Sequence, residues 1–293
     1  STMLKRLRSA SRIIVSTSFP LALRAGRYFG KIATASAARL ARRLRLPMLM
    51  PSIIKSALFA IALAVAVFEG GFFWGAVFFG LAFYWYFRSS FEWDTFFCSF
   101  LILTLYAYLD TSFLYYATET NVSSGVAPVW LASALFGALF FLLLGIKEFV
   151  FLRRQAIFNF LSGSLYFFVG GSFFVADKDA GGSFLLYALL SSVVFYLLIK
   201  ESIDFFMEDA PKRKKEVLAI GSTLLIMEFL GIVGILPIGF LNSAALIVLI
   251  VFVFEDLIYH HLKGALSRQI VLNNVTILIV CLLFIFATSK LTL

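Results

Sequence analysis

Glu228 stands near the middle of an apolar run, LLIMEFLGIVGILPIG, with Gly231, Gly234, Pro237 and Gly239 just beyond it. An ionisable side chain at such a depth is costly in hydrocarbon and marks a candidate site. A carboxylate beside a helix softened by Gly and Pro suits proton or cation handling. The structural alternative is a hydrogen bond or ion pair between helices. Lys200, in the preceding apolar run, is the natural distant partner. Lys200 and Asp204 are four residues apart, so a helix places them on one face where they can pair. Their position near the end of a run also lets them snorkel to an interface.

A second cluster, Glu255-Asp256-x-x-Tyr259-His260-His261, closes another apolar run. Asp256 and His260 share a face and are spaced like two metal ligands. His260 and His261 are the only histidines, which excludes the histidine-rich membrane hydroxylases and leaves a single-metal site short of ligands. An interfacial polar cluster is the preferred reading, and no cofactor is expected. The sequence carries no Walker A, GxGxxG, HExxH or GxSxG motif. Ser162-Gly163-Ser164, Gly170-Gly171, Gly71 with Gly75, and Ser133 with Gly137 read as small residues for close helix packing. Cys98 and Cys281 sit in apolar stretches and read as small buried hydrophobes.

The elements that carry these residues follow from composition. Of 293 residues, 61% are hydrophobic and 14% charged, against about 45–50% and about 25% in a soluble domain. A chain of this size cannot hide that much apolar surface from water. A transmembrane helix needs roughly 17–25 mostly apolar residues. Nine such runs occur, at about 52–69, 71–88, 91–109, 128–147, 156–176, 183–204, 217–236, 243–260 and 270–289. As a single helix, 53–87 would be about 52 Å long, too long for a hydrocarbon core of about 30 Å. Glu69-Gly70-Gly71 in its middle is a place to turn. The expected fold is all-α: a polytopic transmembrane bundle of about nine spans, with a basic amphipathic arm over 1–51 and the membrane domain over 52–293.

Charge gives the bundle a direction. With a cytoplasmic N-terminus, the inside segments are the arm, the Arg88 turn, Lys147–Arg154, Lys212–Lys215 and Lys263–Arg268. These hold every basic residue except Lys55, Lys178, Lys200 and Lys290. The outside loops are acidic or neutral: Glu69, Asp110 with Glu119, Asp177 with Asp179, and the uncharged Pro237–Asn242 turn. This is the positive-inside pattern, and one helix more or fewer would scramble it. Glu92, Trp93 and Asp94 read as the polar start of a span. Asn121-Val-Ser123 fits a glycosylation sequon on an outside loop.

The net charge of +9 comes from the arm, since residues 1–47 contain eleven Lys and Arg and no acid. Met3, Leu7, Ala10 and Ile14 lie at helical spacing, with Lys5, Arg8 and Arg12 on another face. Phe29, Ile32, Leu40 and Leu44 repeat the pattern against Lys31, Arg39, Arg42 and Arg43. Pro20 and Gly26 separate the two helices, and Pro47–Pro51 reads as an elbow before the first span. Arg6, Arg8, Arg12, Arg39, Arg42 and Arg43 are the expected contacts to anionic lipid, at about 1 kcal/mol per cation near the surface. An Arg-rich, acid-free N-terminus also fits a mitochondrial targeting sequence. Docking on an acidic protein is a further reading. Nucleic acid is disfavoured, because no binding motif accompanies the charge.

The stretch Gly145-Ile-Lys-Glu-Phe-Val-Phe-Leu-Arg-Arg154 and the run from Leu236 to Lys290 resemble uncharacterised multi-span membrane proteins of small-genome, candidate-phyla bacteria. The resemblance covers the C-terminal half. It implies a bacterial inner membrane rather than a mitochondrial one, and brings no activity. The sequence therefore points first to a non-enzymatic scaffold or subunit of a membrane assembly, with protein partners or a homo-oligomer. Few ionisable groups lie in the spans, and no long loop is available to form a soluble domain. The second expectation is a transporter or channel using Glu228, and the third a membrane-embedded enzyme at the cytoplasmic interface using Asp256, His260 and His261.

Overall fold

The computed structural model describes residues 46–88, 96–119, 126–148, 151, 153–179, 184–207, 210–236 and 238–288. The arm arginines Arg6, Arg8, Arg12, Arg39, Arg42 and Arg43 lie outside these, as do Glu92–Asp94 and the sequon. Contacts divide the chain into two units, Ser1–Met50 and Pro51–Leu293. The helical bundle is built from the second.

Among the described residues there are nine helices and no strand. They are α1 (Leu46–Glu69), α2 (Gly71–Phe87), α3 (Phe97–Glu119), α4 (Val126–Lys147) and α5 (Arg154–Asp179), followed by α6 (Phe184–Phe206), α7 (Lys212–Ile235), α8 (Phe240–Leu262) and α9 (Arg268–Thr288). Seven of them, all but α2 and α3, are long and apolar enough to cross a membrane. The shorter apolar stretches are Gly71–Phe87 and Phe97–Ser112. The protein is an α-helical membrane protein.

The chain turns where Gly70 and Gly71 adopt φ of 66° and 80°, values an L side chain rarely takes. Phe59, eleven residues before Gly70, and Phe78, seven after Gly71, bring their rings together at 5.1 Å. That contact requires the chain to fold back at the two glycines, so 53–87 is not one continuous helix.

α5 is the central helix and packs against α3, α4, α6 and α8. Its buried residues Phe158, Leu161, Leu165, Val169 and Phe173 recur at steps of three and four, the spacing of one helix face, with Tyr166 buried beside them. Small residues set the closest approaches. A Cβ on Gly163 would lie 2.6 Å from the Phe252 ring of α8, and one on Gly137 of α4 would lie 2.8 Å from Ala60 Cβ of α1. Gly75 meets the Tyr108 ring, whereas Gly71 has open space and serves the turn. α9 is peripheral: its apolar stretch is 6% buried, against 56% for α4 and α5.

Two expectations need correction. The Pro47–Pro51 elbow is instead the first part of α1. Pro47 falls in the first turn, where amides lack partners in any case, whereas Pro51 lies inside the helix and forgoes one backbone hydrogen bond. The third span was expected at 91–109, with Asp110 and Glu119 in a loop. α3 runs from Phe97 to Glu119, and Asp110 lies within it, accepting a 2.8 Å hydrogen bond from Ser172 Oγ of α5. The start of α3 is set by Glu201 of α6, a partner distant in sequence.

Candidate functional site

The loop-side ends of α4 to α9 that carry Lys147, Arg154, Lys212–Lys215 and Lys263 form a basic end of the bundle. Glu148, Glu201, Asp204, Glu255 and Asp256 are inserted among these cations, each with a partner. Glu201 reaches the start of α3, accepting hydrogen bonds from Cys98 N at 3.1 Å and Ser99 N at 2.9 Å, and from Ser99 Oγ. A helix leaves its first amides unsatisfied, and a carboxylate there also meets the positive end of the helix dipole. Phe96, just before the helix, has φ of 65° and is buried. The chain's own residue therefore supplies no side-chain cap, and Glu201 supplies it from another helix.

Glu255 of α8 accepts a 2.7 Å bond from the buried Tyr166 hydroxyl of α5 and a further hydrogen bond from Ser202 of α6. Glu148 accepts a 2.9 Å bond from Lys55 and another from Ser52, tying the α4 end to α1. Lys147 donates to Tyr86 O at 3.0 Å and lies 3.7 Å from the Tyr86 ring centroid. It thereby satisfies a carbonyl at the end of α2, where a cation also suits the dipole.

A cavity of about 350 Å³ opens beside Glu255. Gln155, Asn159, Ser202, Asp256 and Tyr259 contribute polar groups, and Phe206 and Phe252 contribute rings. Beside it is a groove of about 900 Å³ between the α6–α7 and α8–α9 connections.

The residues singled out from sequence separate in three dimensions. Asp256 and His260 do come together, with Nδ1 3.4 Å from Asp256 Oδ2, and Asn274 of α9 donates to the same oxygen at 2.7 Å. His261 turns away and lines the groove. Asp204 pairs with Lys215 of α7 at 3.0 Å rather than with Lys200, whose Nζ lies 5.8 Å from the Tyr196 ring centroid. Among the described residues no group of three or more His, Cys, Asp or Glu could hold a metal ion.

Glu228 is exposed on the outer face of α7. Among the described residues it makes neither an ion pair nor a hydrogen bond, and it lines neither cavity. The buried positions of α7 are Ala219, Ser222, Thr223, Ile226, Leu230 and Val233, with Lys215 at its start. Glu228 is two residues from both Ile226 and Leu230, roughly 200° around the helix.

Glu201 carried little weight in the sequence and Tyr166 none, and Asp110 was assigned to a loop. A signal for two carboxylates was present. Glu255 continues the buried series Ala244, Ile247, Val251 and Ile258 of α8, and Asp110 follows Tyr106 and Ala107 on the buried face of α3. No family model, curated protein or solved structure matches the chain.

Proposed function

We propose that this protein is a non-enzymatic subunit of a membrane assembly, and that the outer face of α7 packs against a transmembrane helix of a neighbouring subunit. The observation that carries this is Glu228. It lies eleven residues past Val217, about 16 Å into a core about 30 Å thick. A charged carboxylate facing lipid at that depth costs about 2.5–3.5 kcal/mol. Glu148, Glu201, Asp204, Glu255 and Asp256 are all matched inside the chain, and the other exposed carboxylates, Glu69 and Glu216, lie toward helix ends, so an uncovered Glu228 in mid-helix is the exception. A neighbouring helix that offers a cation or a hydrogen-bond donor removes the penalty. Gly221 and Gly231 have open space beside them, which lets another backbone approach closely.

Around this core reading stand the charge-based ones. All nine helices span the bilayer, the N-terminus is cytoplasmic, and the membrane is a bacterial inner membrane, with the mitochondrial inner membrane as the alternative. The arm rests on the anionic leaflet through Arg6, Arg8, Arg12, Arg39, Arg42 and Arg43. The resemblance to membrane proteins of small-genome bacteria supports the choice of membrane. Transport through Glu228 would need a water path to that side chain, and the residue faces outward. An enzyme built on Asp256, His260 and His261 would need the three to converge, and His261 points elsewhere.

The test is extraction from native membranes into polymer nanodiscs without detergent. The protein mass within the particle, with lipid and polymer subtracted, is expected to exceed the 32.7 kDa of one chain. Single cysteines at Leu224 or Ile232, exposed one turn either side of Glu228, are expected to cross-link to the neighbour, and one at Phe160, exposed on α5, is not. Glu228→Leu is expected to loosen the association by about 0.6–1.7 kcal/mol, the range for interhelical polar contacts. A lone chain that conducts ions overturns the reading.

A further inference from the structure

The groove of about 900 Å³ at the basic end combines two surfaces. Its rim carries Arg213 and Lys214 from the start of α7, with His261 and Lys263 from the end of α8. Its floor is apolar, formed in part by Met207, Val217, Leu218 and Leu262. The floor is continuous with the outer surface of the spans, since Val217 and Ile220 are exposed on the adjoining turns of α7. Cations above and an apolar channel below match an acidic headgroup and the acyl chain attached to it.

Arg213 and Lys214 are exposed and form no ion pair among the described residues. Lys263 stays near the rim, its ammonium 3.9 Å from the Tyr259 ring centroid and hydrogen-bonded to the hydroxyl. Lys215 is different: it is buried and matched by Asp204. Across this corner Lys212, Arg213, Lys214 and Lys263 give four positive charges. Glu208 and Asp209, outside the described residues, and the exposed Glu216 give three negative ones, and the corner keeps an excess of one. The backbone adds to it. α7 begins after Pro211, whose side chain provides no cap. Lys214 N and Lys215 N are bonded to Pro211 O, which leaves the amides of Lys212 and Arg213 at the positive end of the helix dipole, where anions bind.

We infer that this groove is a binding site for an anionic phospholipid, with the headgroup phosphate held between Arg213, Lys214 and Lys263 and an acyl chain along the α7 surface. The headgroup end of the site, at Lys214, lies about 21 Å along α7 from Glu228 and does not depend on that assignment. A soluble phosphate would engage the rim alone. A lipid engages both rim and floor.

The test uses the full chain in phosphatidylcholine vesicles containing a trace of phosphatidylglycerol with a photoactivatable acyl chain. Labelled residues are identified by peptide mass mapping, which separates the groove from the basic arm. Label is expected on peptides containing Met207, Leu218 or Leu262. It should exceed that from photoactivatable phosphatidylcholine by roughly fivefold for each cation engaged. Unlabelled phosphatidylglycerol should displace it, and inorganic phosphate should not. Arg213→Gln, Lys214→Gln and Lys263→Gln combined should abolish the preference, whereas Lys212→Gln, outside the groove lining, should leave most of it. Equal labelling by the two lipids, displacement by phosphate, or full labelling of the triple variant overturns the assignment. Thermal unfolding close to that of the parent chain shows that the triple variant is folded.

Discussion

Removing a carboxylate that caps a helix exposes more than its own loss, because the groups it satisfied stay behind. Glu201→Ala would leave the amides of Cys98 and Ser99 and the Ser99 hydroxyl without their acceptor. Each unsatisfied group costs about 1–3 kcal/mol where water cannot reach it. Glu201→Gln keeps one carbonyl oxygen as acceptor but loses the charge that complements the dipole. The expected order of melting temperature in nanodiscs, followed by tryptophan fluorescence, is parent, then Glu201→Gln, then Glu201→Ala. An alanine variant as stable as the parent would show that the cap contributes nothing. Glu201 was hard to read from sequence for a physical reason. It sits beside Lys200 near the end of a span, where ionisable residues normally reach for the interface. Its real partner, Ser99, is 102 positions away in the chain, on a helix whose start could not be placed from its apolar run. Glu228 shows the opposite error. Its depth was legible from the run around it, but depth says nothing of direction. Only the buried series from Ala219 to Val233 shows that the residue faces out.

At the scale of the helix, the apolar runs located all nine elements, because each must bury or immerse about the same length of backbone in hydrocarbon. The Gly70-Gly71 turn was legible too, since two adjacent glycines beside Glu69 break a run too long to cross once. Helix ends were less so. α7 starts at Lys212 rather than 217, because a helix continues into the basic interfacial zone where no apolar signal accompanies it. Which small residues make contact was legible in part, since Gly137 beside Ser133, and Gly163, read as packing positions and do meet a neighbouring helix. A Cβ at Gly137 would meet Ala60 Cβ at 2.8 Å and the Ser56 carbonyl oxygen at 3.1 Å, whereas one at Gly80 would meet open space. Gly137→Ala is expected to destabilise the protein by about 1–3 kcal/mol, as overpacking does. Gly80→Ala is expected to be neutral or stabilising by up to about 1 kcal/mol, the helix preference for alanine. Thermal unfolding of the two variants side by side checks this, and equal effects would remove the close α1–α4 contact.

For the whole molecule, the loop charges make a prediction about sidedness. With Cys98 and Cys281 replaced, single cysteines at Glu69 and at Lys263, both exposed, should face opposite sides of the membrane. In intact spheroplasts a membrane-impermeant maleimide should label the first and reach the second only after lysis. The reverse pattern would invert the orientation, and labelling of both from one side would change the number of spans between them. The cap that α6 supplies to α3 also bears on how the molecule is made. Chains enter a bilayer from the N-terminus onward, yet the acceptor for the amides of Cys98 and Ser99 comes 102 or more positions later. Lys55 likewise waits 93 positions for Glu148. Until α6 is synthesised and inserted, the beginning of α3 holds donors that only water, lipid headgroups or an insertion factor can satisfy. The cap of α3 is therefore complete only once α6 is in place beside it.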